Sequence, residues 1–247
     1  MVGKIVNYGS INIDEFFTVP HICKSGETIS SKDYFVRAGG KGANQSVAIA
    51  RIRDYMHDNG VDMTYTKISE NETNGRALIQ VSADTGDNCI VLYPGTNGTY
   101  TANDAKEVFT HFGPGDWVVQ QNEISEGGAV MRLAAKRGLS IMFNPAPLTQ
   151  GILDEFPFDS VTILVVNEHE ADDLYRELGG EKEVKGLDLA AELLKRLENA
   201  QGVVLTLGGE GVVARFRHEG KLRDFIVPSR KVNVKDTTAA GDTFVVG

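Results

Sequence analysis

At 247 residues the chain is long enough for one α/β domain with a large core, and 41% hydrophobic with 24% charged residues is the composition of an ordinary folded protein. A net charge of −9 argues against a nucleic-acid or anionic-membrane surface, which needs clustered Lys and Arg, but is compatible with a small polyanion held in a locally positive pocket. Two cysteines, Cys23 and Cys89, no run of membrane-spanning length and a strand-like opening in place of a signal peptide lead to the expectation of a cytoplasmic protein.

Lys4–Tyr8 reads as a first strand, closed by Gly9 and Ser10. Asp14 then lies just beyond it, where α/β folds keep their ligand crevices; an Asp there also serves as an ordinary turn residue. Residues 15–37 mix β-formers (Phe16, Phe17, Val19, Ile29, Tyr34, Phe35, Val36) with Pro20 and Gly26, the pattern of a small antiparallel excursion. In Ala38–Arg51 the glycines 39, 40 and 42 allow close approach of backbone to a ligand directly before a helix, with Lys41 and Asn44 projecting from the loop and first turn. The stretch is not a Walker A sequence, since no Ser or Thr follows the Lys; a helix start built only for packing is the alternative.

Residues 62–96 are β-rich, and Ala77–Val81 with Asn88–Tyr93 flank Ala83–Asp87 as a hairpin. Trp117–Gln121 reads as a strand with Glu123 just past its end, either a ligand-facing carboxylate or a solvated loop residue. Helix-like residues 126–137 lead to a strand, Leu139–Phe143, and then to Asn144-Pro-Ala-Pro147. A further strand, Thr162–Val166, ends in Asn167-Glu-His-Glu170, where Asn167 caps the next helix and Glu170 completes a capping box. After the strand Gly202–Leu207, Gly209-x-Gly211-x-x-Ala214 matches a dinucleotide fingerprint superficially; Val212–Phe216 continues as strand instead of helix, which rejects that reading. The histidines and cysteines have no metal-ligand spacing.

A β-like run, Phe225–Val234, precedes Asp236–Phe244. The small residues Ala239, Ala240 and Gly241 let the backbone turn tightly, so that successive N–H groups meet at the start of a helix and form an anion site. Asp242 at its mouth is kept ionised by the helix dipole and is placed to take a proton from an attacking hydroxyl; capping the helix is its alternative use. Strands alternating with helices, without repeat or linker, predict one α/β/α domain with a mostly parallel sheet.

Gly9-Ser-Ile-Asn-Ile-Asp14, Gly39-Gly-Lys-Gly-Ala-Asn44, Asn144-Pro-Ala-Pro147 and Asp236–Phe244 follow the order of the motifs of the ribokinase-like (PfkB) carbohydrate kinases, and the chain resembles that family over essentially its whole length. The resemblance implies a three-layer α/β/α fold over residues 1–247 with a small β lid from about 15–37 and a contribution from about 86–97. It implies ATP and a sugar as small-molecule partners, Mg²⁺ as cofactor, K⁺ as activator, and a homodimer through the lid. At the sugar it implies Asn12, Asp14, Gly40, Lys41, Asn44, Glu123 and Asp242, with Asp242 as catalytic base, and Asn97 nearby. The anion hole would be Ala239, Ala240, Gly241 and Asp242; ATP would meet Asn167, Thr206, Gly208 and Gly211. Glu170 would hold Mg²⁺ through water, and Asp236 with the Thr238 carbonyl a monovalent cation. The implied activity is ATP-dependent phosphorylation of the 5-hydroxyl of D-ribose. Another sugar or a nucleoside is the alternative acceptor, and a non-catalytic binding paralogue or incomplete fragment the alternative of a different class.

Two departures from the family pattern are expected to matter. A strand and a Gly/Asp turn normally separate the first two helices, whereas Arg51 runs directly into the helix-like Ile52–Asn59, so that strand is expected to be lacking. Gly247 falls about one turn into the helix that follows Asp242, so the family's later helices over the adenine and cation sites are expected to be lacking as well.

Overall fold

The structure is a computed structural model that describes residues 3–45, 62, 64–67, 69–230, 241, 244 and 245. The first half of the chain forms β1 (Ile5–Tyr8), β2 (Asn12–Val19), β3 (Asp33–Gly39), a helix α1 whose described residues are 41–45, β4 (Gly75–Ser82), β5 (Asn88–Tyr93) and α2 (Ala102–Val108). Then come β6 (Trp117–Gln121), α3 (Gly127–Lys136), β7 (Ser140–Asn144), α4 (Ile152–Glu155), β8 (Ile163–Asn167), α5 (Glu168–Glu177) and α6 (Gly186–Arg196). The strands β9 (Gly202–Thr206), β10 (Val212–His218) and β11 (Lys221–Val227) follow.

Seven strands make the central sheet in the order β1-β6-β7-β8-β9-β10-β11. The four pairings from β1 to β9 are parallel, and β10 and β11 close one side as antiparallel strands. The mixed α/β class with a mostly parallel sheet is therefore as the alternation predicts. Strand periodicity decides which core each side chain joins. Val118, Ile141, Phe143, Leu164, Val166, Val203 and Leu205 point into the main core, while their neighbours Val119, Met142, Ile163, Val165 and Val204 meet Val245 on the opposite face.

Helix periodicity supplies the cover for the main core. α3 buries Val130, Met131 and Ala134, α5 buries Ala171, Leu174 and Tyr175, and α6 buries Leu189, Ala190, Leu193 and Leu194. Phe143 is fully buried and packs against Phe156 and Phe158 with ring centroids 4.8 and 5.6 Å away. Each large side chain buried in this way contributes about 1.5–3 kcal/mol, so the core fixes the sheet and leaves the strand ends to carry chemistry.

A second sheet of four strands has the order β3-β2-β4-β5, with β2 parallel to β4 and the other pairs antiparallel. Its own small core is Phe16, Ala77 and Ile79 with Phe35 and Val81 against them. Phe16 and Phe35 stack at 4.8 Å, and the Arg37 guanidinium lies 4.8 Å from the Phe35 ring. β4 and β5 are the hairpin expected from the sequence, closed by the Ser82 N–H donating to the Asp87 carbonyl at 2.9 Å. Only Gly9, Ser10 and Ile11 separate β1 in the large sheet from β2 in the small one.

One expected strand is shorter in fact. The run Phe225–Val234 forms strand only to Val227, because Pro228 has no N–H to continue the ladder; residues 228–230 are not strand, and 231–234 lie outside the described residues. The helix-like reading of Ile52–Asn59 also falls outside them. Among the described residues β1 forms one edge of the large sheet, with β6 beside it.

Candidate active site

The three-residue passage from β1 to β2 is covered by the loop that ends β3 and starts α1. Gly40 adopts φ +94°, and a Cβ there would lie 2.7 Å from the Ser10 carbonyl oxygen and 2.8 Å from the Asn12 nitrogen. Gly42 approaches even more closely, since a Cβ on it would lie 2.1 Å from the Gly9 carbonyl carbon. Glycine is required at both positions because backbone occupies the space a side chain would need. The Ala43 N–H donates to the Ser10 carbonyl at 2.9 Å, and the Asn7 amide donates to the Gly42 carbonyl at 2.8 Å.

This arrangement gathers charge around Glu123, two residues beyond β6. The buried Ser10 hydroxyl donates to Glu123 Oε2, and the Lys41 N–H donates to the same oxygen at 3.3 Å. Lys41 Nζ pairs with Glu123 Oε1 at 3.4 Å. The Glu123 side chain is only 8% exposed, so three donors replace the water it has lost. Asn12 and Asp14 are buried on one face of β2 at 7% exposure each. Asp14 lies over Gly39, where a Cβ would come 1.8 Å from its Oδ2.

Beside this cluster is a cavity of ≈ 220 Å³ lined by Lys41, Asn144, Ala146, Val165, Val166, Asn167, Glu170, Thr206, Gly241 and Val245. Its polar groups come from strand ends. Asn144, Asn167 and Thr206 terminate β7, β8 and β9, the carboxyl edge of the parallel strands where open α/β sheets bind ligands. Asn167 and Thr206 are register partners. The capping box is formed: Glu170 N–H donates to Asn167 Oδ1 at 2.9 Å and Asn167 N–H donates to Glu170 Oε2 at 3.0 Å. The capping use of Glu170 and its place on the cavity wall thus coexist. Mg²⁺ characteristically takes one or two carboxylates with phosphate and water oxygens, so a single wall carboxylate is a donor set that fits it.

Lys41, Asn167, Glu170, Thr206 and Gly241, expected from the sequence, line this one cavity, and Lys41 joins it to Glu123. Gly208 and Gly211 bound a 3₁₀ turn after β9 and are not on the cavity wall. The Asn44 N–H donates to the Gly40 carbonyl at 2.9 Å, and Asn44 is likewise not on the wall. Asp236, Thr238, Ala239, Ala240 and Asp242 lie outside the described residues, whereas their neighbours Gly241, Phe244 and Val245 are helical.

Sequence reasoning assigned no role to Ser10, to Asn144, or to the buried amides Gln45 and Gln121. Gln121 Nε2 donates to both Asn7 Oδ1 and Gln45 Oε1, tying β6, β1 and α1 together beneath the loop. The Asn144 amide donates to the Val165 carbonyl at 2.9 Å. Asn144 stood in a recognised motif and was open to detection. Away from the cavity, burial pushes the Tyr8 phenol far above its ordinary value, and its hydroxyl donates to the Ser125 carbonyl at 2.8 Å. Among the described residues no group of three or more His, Cys, Asp or Glu side chains is placed to hold a metal, and no helix is long and apolar enough to cross a membrane.

A ribokinase of Haemophilus influenzae is 32% identical over 96% of this chain and 81% of its own length. The crystal structure of ribokinase from Cryptococcus neoformans var. grubii serotype A in complex with ADP superposes with a TM-score of 0.78 at 34% identity, covering 99% of this chain and 85% of that one. Arabidopsis thaliana ribokinase complexed with ribose and ATP superposes with a TM-score of 0.75 at 27% identity, covering 100% and 84%. The profile of the pfkB family carbohydrate kinases matches residues 50–247, and the chain belongs to that family of sugar phosphotransferases.

Proposed function

We propose that the protein transfers the γ-phosphoryl group of ATP to the 5-hydroxyl of D-ribose. The observation that carries this reading is the Lys41 bridge: one side chain pairs with buried Glu123 beside Ser10 and also lines the cavity walled by Asn167, Glu170, Thr206 and Gly241. The polar cluster around Glu123 and the cavity thus share a wall. Relatives at about 30% identity named ribokinases, and one solved with ribose and ATP, support ribose as the acceptor.

In this reading Asn12, Asp14, Gly40, Lys41, Asn44 and Glu123 bind and orient the sugar, with Asp242 at its reacting end. Asp242 follows Gly241 of the cavity wall and takes the proton of the attacking hydroxyl, as a carboxylate at a helix start is suited to do. The amides of residues 239–242 then hold negative charge developing on the transferred group, the main requirement of phosphoryl transfer. Asn167, Thr206, Gly208 and Gly211 hold the nucleotide. Glu170 and Asn167 would hold Mg²⁺ through water, and the ion supplies positive charge to the phosphates. Asp236 and the Thr238 carbonyl would hold K⁺ as an activating ion.

The second sheet acts as the lid and as the face for a second copy, supported by the exposed Ile90, Val91, Leu92 and Tyr93 along β5. The free thiols of Cys23 and Cys89 support a cytoplasmic protein. The test is ribose-dependent ADP release by the 247-residue chain with Mg²⁺ and K⁺, with Asp242→Asn as control. Turnover lost in the variant while ribose binding persists is the expected result; full turnover by Asp242→Asn refutes the role of the base, and no turnover by the wild type across a sugar panel refutes the kinase reading.

A further inference from the structure

Asn97 lies in the 3₁₀ turn Gly95–Gly98 after β5 and is 8% exposed. The Ile11 N–H donates to its Oδ1 at 3.1 Å; its Nδ2 donates to the Ile11 carbonyl at 3.3 Å and to Asn12 Oδ1 at 2.7 Å. The two ends of a carboxamide have nearly the same shape, so partners must decide which is oxygen. Here the backbone decides. The Ile11 N–H can only donate and the Ile11 carbonyl can only accept, and one orientation of Asn97 satisfies both. Its Nδ2 therefore faces Asn12, and Asn12 has to answer with Oδ1. The Asn12 Nδ2 is thereby turned away from Asn97 as the donor that Asn12 offers elsewhere.

The surroundings are built for this contact. A Cβ on Gly75, which is the register partner of Asn12 in β4, would lie 2.2 Å from Asn97 Nδ2 and 2.4 Å from Asn12 Oδ1. Only glycine leaves room for the bond. Asp14, two residues along β2 on the same face, carries an acceptor.

We propose that Asn97 is a positioning residue that determines specificity: by fixing the Asn12 amide it makes Asn12 a hydrogen-bond donor to the sugar, beside the acceptor Asp14. The proposal rests on the sugar-kinase reading above. Asn97 acts through Asn12, whose polarity it sets. An acceptor oxygen on the sugar is then matched at Asn12, and an oxygen that must donate there is rejected.

The experiment is steady-state kinetics of the full chain with ribose and ATP for wild type, Asn97→Asp and Asn12→Asp, with a thermal melt of each. In Asn97→Asp one carboxylate oxygen still accepts from the Ile11 N–H, but the other faces Asn12 as an acceptor and turns its amide over. The expected result is a rise of about tenfold in ribose KM with ATP KM and kcat within about twofold. Asn12→Asp keeps the Asn97 clamp on Ile11 yet presents an acceptor to the sugar, and should give a similar rise. A merely structural role for Asn97 would move ATP KM and kcat as well. An unchanged ribose KM in folded Asn97→Asp overturns the proposal, as does an unchanged ribose KM in Asn12→Asp, which decides the matter alone if Asn97→Asp does not fold. A wild type that takes ribose with either of those results refutes Asn97's role only; a wild type that takes no sugar overturns the kinase reading and this proposal together.

Discussion

Replacing Glu170 by Gln separates two uses of one carboxylate. In the capping box, Glu170 accepts a hydrogen bond from the Asn167 N–H at 3.0 Å, while its own N–H is satisfied by Asn167 Oδ1 at 2.9 Å. Gln keeps an acceptor in the same place, so both bonds survive; what goes is the negative charge in the first turn of α5, worth about 0.3–1 kcal/mol. For a chain of this size that is a fall of roughly 1–4 °C in melting temperature. Asn167→Ala removes the cap acceptor outright and should cost about 1 kcal/mol, or roughly 2–4 °C. If Glu170 also organises Mg²⁺ at the cavity, Glu170→Gln must raise the Mg²⁺ concentration for half-maximal ADP release by about tenfold or more, a shift of roughly 1.4 kcal/mol that capping has no means to produce. The assay is a Mg²⁺ titration of turnover beside a thermal melt. A small loss of stability with an unchanged Mg²⁺ requirement would refute the metal role and leave Glu170 a cap.

Ser10→Ala removes the hydroxyl that donates to Glu123, leaving a buried carboxylate oxygen one donor short; a loss of about 1–3 kcal/mol by urea unfolding and weaker ribose binding by calorimetry are expected. Gly42→Ala sets a Cβ 2.1 Å from the Gly9 carbonyl carbon, a collision of backbone with side chain that no rotamer relieves, and should cost about 1–3 kcal/mol in the same urea assay. Leu92→Asp, on exposed β5, should leave the melting temperature within about 2 °C but convert a dimer to monomers in sedimentation; a wild type that sediments as a monomer refutes the lid interface. A hydrogen bond from Lys67, with the cap bond from the Thr101 N–H, holds the Asp104 carboxyl below its ordinary value of 3.8. Its contribution to stability is therefore present above pH 3.8 and lost as the pH falls through the lower folded value, and Asp104→Asn should flatten that part of an acid-unfolding curve.

Legibility in the sequence followed locality. Lys41 and Gly40 were readable because glycines gathered before a helix are a local signal, and Glu123 because a carboxylate just past an apolar strand is one too. The α5 capping box lies within four residues and was found with its boundaries. The hydrogen bond from Ser10 to Glu123 spans 113 residues, and that from Asn97 to Asn12 spans 85, so neither has a pattern that periodicity could reveal. The buried Gln121–Gln45 pair was hidden for a further reason: amides at helix and strand positions read as solvent-facing until the fold encloses them. Pro228 was the overlooked signal in the run 225–234, where β-forming side chains outweighed the missing N–H.

The short passage from β1 to β2 makes the small sheet a lever with its fulcrum beside the Ser10–Glu123 cluster. β2 runs from Asn12 to Val19, about 23 Å at ~3.3 Å per residue. A rotation of about 10° at Ile11 would carry Val19 through about 5 Å but Asp14 through only about 2 Å. Asn97, bonded to both sides of Ile11 and to Asn12, grips the chain at that fulcrum. A tilt of the sheet therefore displaces its far rim most and Asn12 and Asp14 least. In the proposed kinase, with this sheet as the lid, gating and recognition would be decoupled along a single strand.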